Sequence, residues 1–152
     1  MSHDLATVAR HFKIPGEFLG GEPYGTGHIN DTYAVRYRGA GGTVRYIFQR
    51  INHGIFRNVP QLMQNIERVT AHVGATLRDM PGHDPLRETL TILPAVDGRT
   101  YCRDEDDNSW RAYVFIEGAR TYDEVQNCRH AYEAARAFGA MLDGGLEGVR
   151  SV

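Results

Sequence analysis

Cysteine is scarce in this chain: there are two in 152 residues, Cys102 and Cys128. They form no C-x-x-C pair and are too few for a disulfide framework, so a reducing, cytoplasmic setting is the expectation. No run of about 18 apolar residues occurs, so hydropathy offers no membrane-spanning helix. Met1-Ser2-His3-Asp4 lacks the basic residues and apolar stretch of an export signal. Basic residues are not clustered and the formal net charge is -2. Neither nucleic acid nor a membrane surface is therefore expected as a partner held by charge alone. The seven histidines are scattered, with no H-E-x-x-H and no metal-ligand spacing. No nucleophile–base pair for hydrolysis is legible. What the chain does have is 41% hydrophobic and 24% charged residues, enough to pack one ordinary domain and unlike a disordered segment.

Periodicity divides the sequence into elements. Leu5, Val8, Ala9 and Phe12 recur at helical spacing, with Ser2 or Asp4 as cap and Pro15-Gly16 as stop. From Glu22 to Arg50 the pattern is that of strands: Tyr33, Val35 and Tyr37 alternate with polar residues, and Val44 to Ile51 is β-branched and aromatic. Glycines at 25 and 27 and at 39, 41 and 42 supply turns. A second helix starts at Asn58 and Pro60 and carries an apolar stripe of Leu62, Met63, Ile66, Val69, Thr70 and Val73. After a loop over Asp79 to Pro85, strands are expected at Thr89 to Val96 and Arg111 to Ile116. Asp104 to Asn108 is a solvated polar connection between them. The last helix is expected over Arg129 to Met141, with a frayed tail beyond. The order implies an α+β fold: an antiparallel sheet of about five strands with a packed helix.

The segment Pro23-Tyr24-Gly25-Thr26-Gly27-His28-Ile29-Asn30-Asp31-Thr32-Tyr33 carries the most chemical information. Two glycines one residue apart between strands let backbone N–H groups approach a ligand without a Cβ in the way, and phosphate suits such a nest of amides. A tight hairpin without ligand fits the same residues. No Gly-Lys-Ser/Thr follows, so this is not a Walker loop. A basic residue on the third strand and an acid on the next helix complete a phosphate-binding arrangement of the protein-kinase kind. Arg50, or Gln49 beside it, and Glu67 stand at those places. Inward and outward faces alternate along a strand, so only one of Gln49 and Arg50 can face inward.

These residues resemble the aminoglycoside-phosphotransferase-like kinases, and among them the N-acetylhexosamine kinase type. The resemblance rests on Pro23-Tyr24-Gly25-x-Gly27-His28-Ile29-Asn30-x-Thr32-Tyr33, Tyr46-Ile47-x-Gln49 and Ile55-Phe56. It extends through Leu62-Met63-x-Asn65-Ile66-Glu67-x-Val69-Thr70 and Trp110-Arg111-x-Tyr113-x-Phe115-Ile116-Glu117. It implies a kinase-like N-terminal lobe over residues 1–117, followed by a hinge and the first helix of a second lobe over 118–152. It further implies a loop, Tyr24 to Asn30, over the phosphates of ATP, with Glu67 as the helix acid. Tyr113, Phe115, Ile116 and Glu117 would line or bond the adenine. The reaction implied is transfer of a phosphoryl group from ATP, with Mg2+, to a small hydroxyl acceptor. That acceptor is expected to be the anomeric hydroxyl of an N-acetylhexosamine, with homoserine, choline or an aminoglycoside as alternatives.

The chain departs from the family pattern in two ways. The strand lysine is replaced by the Gln49-Arg50 neighbourhood. The catalytic loop with its His-x-Asp and later Asn, and the metal-binding Asp segment, do not occur. No catalytic residue and no metal ligand is therefore assigned, and the chain alone is expected to bind nucleotide weakly without turnover. A non-catalytic module that dimerises or meets a separate C-terminal lobe is the rival reading.

Overall fold

A computed structural model describes residues 3–27, 29–119 and 124–149, the side chains only as far as residue 139. His28 of the glycine segment lies outside the described residues. The elements in order are α1 (Leu5–Ala9), β1 (Glu17–Pro23), β2 (Asp31–Gly39), β3 (Gly42–Ile51), α2 (Val59–Asp79), α3 (Pro85–Glu88), β4 (Ile92–Leu93), β5 (Cys102–Arg103), β6 (Ser109–Val114) and α4 (Cys128–Val149). The α+β class and the antiparallel sheet are as expected, with six strands rather than about five. The sheet runs β1-β2-β3-β6-β4, and β5 pairs only with β6.

Local chemistry explains the boundaries. Asp4 caps α1 by accepting from the N–H groups of Ala6 (3.0 Å) and Thr7 (3.2 Å), and the helix is shorter than its apolar spacing suggests. Asn58 caps α2 by accepting from Gln61 N at 3.1 Å, with Pro60 in the first turn where no N–H is needed. β1 begins at Glu17, five residues before the expected strand. A register shift between Phe18 and Gly20 and the φ of +129° at Gly20 mark a bulge that breaks its alternation. Gly21 is required there. A Cβ on it would stand 2.7 Å from Val35 Cγ1 and 2.9 Å from Leu5 Cδ1, so α1 packs on β1 only against bare backbone.

Two of the expected elements differ in extent. The strand over Thr89 to Val96 shrinks to Ile92–Leu93, with Ala95 bridging to Phe12 and α3 inserted before it. The final helix continues past Met141 to Val149, through Gly144, Gly145 and Gly148.

Each face of the sheet has its own core. On one face Val8, Ala9 and Phe12 cover Val35, Tyr37, Phe48, Ala95, Cys102, Trp110 and Ala112. On the other, Val59 and Met63 of α2 cover Ile51 and Tyr101, with Leu62, Ile66 and Ile92 packed around them. Beside α2 on that second face lies a smaller cluster of Ala34, Ile47 and Phe115 with Tyr113.

Candidate functional site

Side chains alternate between faces along a strand, and residues directly opposite one another in an antiparallel pair share a face. The register pairs Thr32 with Gln49 and Gln49 with Arg111, and pairs Ala34 with Ile47 and Ile47 with Tyr113. Two adjacent rows, one polar and one mostly apolar, therefore run across β2, β3 and β6 on the α2 face. Asp31, Arg50 and Trp110 form a row on the opposite face.

This assigns the inward position to Gln49 and corrects the role given to Arg50. The Arg50 guanidinium is held by Asp31, Nε to Oδ2 at 2.6 Å and Nη2 to Oδ2 at 2.5 Å, and reaches Asn108 Oδ1 at 3.5 Å. The hydrogen bond from Arg50, against a desolvation cost, keeps the Asp31 carboxyl below its usual range. Arg50 is thus a structural cation behind the sheet, not a member of the α2-face site.

The polar row is internally ordered. Gln49 Nε2 donates to Thr32 Oγ1 at 2.8 Å, which turns Gln49 Oε1 toward Arg111. That oxygen accepts from Arg111 Nε at 2.9 Å and Nη2 at 2.6 Å. Arg111 Nη1 lies 3.9 Å from Met63 Sδ, a weak contact. Because a guanidinium only donates, the amide oxygen must face it and the amide nitrogen must face Thr32. Burial lowers the pKa of Arg111 from its ordinary value, partly offset by Tyr113. Burial likewise raises the Tyr113 phenol. Sequence reasoning did not single out Arg111. The chain's only lysine, Lys13, is exposed just after α1, so Arg111 is the cation of this row.

Glu67 is not brought into the row. It follows Met63 by one helical turn but is exposed, and its backbone carbonyl accepts from Thr70 Oγ1 at 3.3 Å.

The segment between β1 and β2 closes tightly at its base, where Tyr24 N donates to Thr32 O at 2.9 Å. Gly25 has φ of +82°, a backbone that side chains disfavour, and a Cβ at Gly25 or Gly27 would meet nothing within 4 Å. Thr26 is exposed, and Ile29 is 52% exposed. Asn30 anchors the segment: its Oδ1 accepts from Asn52 N, just past β3, at 2.9 Å. It acts as a tie rather than as an open ligand contact.

Beyond β6 the ladder ends at Val114, whose N–H donates to Thr91 O at 3.0 Å. Phe115 is already enclosed. The Arg45 guanidinium lies 3.9 Å above its ring, and the Tyr24 ring meets it edge-on at 5.2 Å. Glu117 is drawn to Arg45 by a bidentate ion pair, whose hydrogen bond keeps the Glu117 carboxyl below its usual range. The Glu117 carbonyl accepts from Arg87 Nη1 at 2.9 Å. Half-buried Ile116 lies between them. Glu117 and Phe115 therefore brace the strand end against β3.

A separate cavity of about 420 Å³ opens at the start of α2 among His53, Arg57, Arg103, Asp106 and Asp107. Its charges compensate each other, with Arg103 paired to Asp107 at 2.8 Å. Among the described residues no group of three or more His, Cys, Asp or Glu could hold a metal ion. No helix among them is long and apolar enough to cross a membrane. No protein-family model matches the chain.

Proposed function

We propose that this chain is the nucleotide-binding lobe of an ATP-dependent small-molecule phosphotransferase of the aminoglycoside-phosphotransferase-like kind. The observation that carries the reading is the pair of rows on the α2 face. Ala34, Ile47 and Tyr113 offer an apolar strip for a flat base. One strand step away, Thr32, Gln49 and Arg111 offer hydroxyl, amide and cation for phosphate oxygens. The glycine segment Tyr24–Asn30 closes the same end of the sheet, and the strand order β1-β2-β3-β6-β4 with α2 inserted after β3 suits a kinase-like lobe. Phe115, whose ring meets Tyr24 edge-on, packs with this strip.

The division of labour follows from the residues. Binding and orienting the nucleotide fall to this chain. A carboxylate that takes the acceptor's proton must lie within hydrogen-bond reach of it, and no side chain described on the α2 face is placed for that. Mg2+ finds no adequate ligand set among the described residues. The acceptor, an N-acetylhexosamine in this reading, and the metal ligands belong with a further lobe. Titrating ATP against the purified chain tests the proposal. Wild type is expected to bind saturably and Gly27→Trp, which puts a bulky indole on the glycine segment, at least tenfold more weakly. Equal affinities, or no binding by wild type, would overturn it. A coupled kinase assay is expected to show no turnover by the chain alone.

A further inference from the structure

We propose that Arg111, projecting from β6, is the cation that meets the nucleotide's phosphate chain, and that Gln49 is its positioning residue. This rests on the nucleotide-lobe reading above. Arg111 is a half-buried guanidinium whose described partners are all neutral: the Gln49 amide oxygen, bonded twice, and the Met63 sulfur. A guanidinium carries five N–H donors and stays charged in a protein. Nε and one Nη2 proton are spent on Gln49, and Nη1 has only a long contact to sulfur. A partly desolvated charge without a counter-charge is costly, and an anion arriving at the remaining donors offsets that cost. The planar fork of arginine suits two phosphate oxygens at once.

The geometry around Arg111 fits this role. In contrast to Arg50, which Asp31 neutralises behind the sheet, Arg111 is oriented by a neutral amide that leaves its charge undiminished. Gln49 is itself fixed by Thr32 at 2.8 Å. The cation therefore stands one row from Ile47 and Tyr113, in the row that ends two strands away at Thr32, the base of the glycine segment. The order across β2, β3 and β6 is hydroxyl, amide, cation.

The test compares adenosine, AMP, ADP and ATP binding by calorimetry at fixed ionic strength, using the 152-residue chain and three variants. Wild type is expected to bind ADP and ATP more tightly than adenosine. Arg111→Gln should lose about tenfold or more in ADP and ATP affinity, the scale of a charge-assisted hydrogen bond, with adenosine affinity unchanged within twofold. Arg111→Lys should fall between. Gln49→Glu places a carboxylate against the guanidinium and should cut ADP and ATP affinity while the chain melts no lower than wild type. Gln49→Glu decides the matter if Arg111→Gln does not fold. Should Arg111→Gln and Gln49→Glu both keep the wild-type preference for ADP over adenosine, Arg111 is not the phosphate cation, although the nucleotide reading survives. The same conclusion follows if wild type binds adenosine and ADP equally. If wild type binds none of the four, the nucleotide reading and this inference fall together.

Discussion

Asp104 accepts hydrogen bonds from the Trp110 indole (2.8 Å), from Asn108 N (2.8 Å) and from Asp106 N (3.0 Å). Sequence composition makes Asp104 one more solvated acid in a run of four. The structure makes it the organiser of the β5–β6 turn and the partner of a tryptophan with no exposed surface. Partial burial raises its pKa, but these donors outweigh that, and the carboxyl sits below its ordinary value of 3.8. A depressed carboxyl contributes its full stability above the unfolded value and loses it as pH falls through the folded one. Asp104→Ala should therefore cost about 1–3 kcal/mol near neutrality, because it orphans a buried N–H. The gap to wild type should shrink below about pH 4, as urea titrations across pH would report. Asp104 was hidden by its turn, whose conformation turns local N–H groups and the Trp110 indole toward one carboxylate; Arg111 was hidden by strand register, since Gln49 and Arg111 are 62 residues apart. The alternation rule showed that only one of Gln49 and Arg50 could face inward, but only the register decides which.

Among the elements, α2 was the most legible, since a cap, an early proline and an apolar stripe all agree. Its cap makes a clean test: Asn58→Ala should lower stability by about 1 kcal/mol in chemical denaturation and leave nucleotide affinity unchanged, because Asn58 lies away from the two rows. β1 was the least legible, since its bulge at Phe18/Gly20 cancels the alternation that betrays a strand. The two glycines mark the segment as a turn between strands, but not the tie that Asn30 makes from it to Asn52. Asn30→Ala should loosen this tie. We expect ATP affinity to fall several-fold in the calorimetric titration, with a stability loss of about 1 kcal/mol, the worth of one hydrogen bond.

For the whole molecule, β3 is the hub. It lies between β2 and β6, with Phe48 fully buried in the core under α1 and Ile51 fully buried in the core under α2. Opening it would expose both cores at once, so hydrogen exchange should find its amides slowest and those of residues 24–27 fastest. Phe48→Ala should cost about 3–5 kcal/mol, enough to unfold a marginal domain. The α+β class followed from the order of patterns along the chain. The strand order did not, because the placement of β6 between β3 and β4 is a long-range packing choice.

The neutral amide at position 49 has a practical consequence. Reagents that tag nucleotide pockets by acylating a nearby amine find none among the described residues on this face of the sheet. The one ε-amine, on Lys13, is exposed just after α1, whose residues cover the opposite face. Such probes should modify Lys13 and the chain terminus regardless of whether ATP is present, and inhibitors that rely on a lysine warhead should slide past this protein.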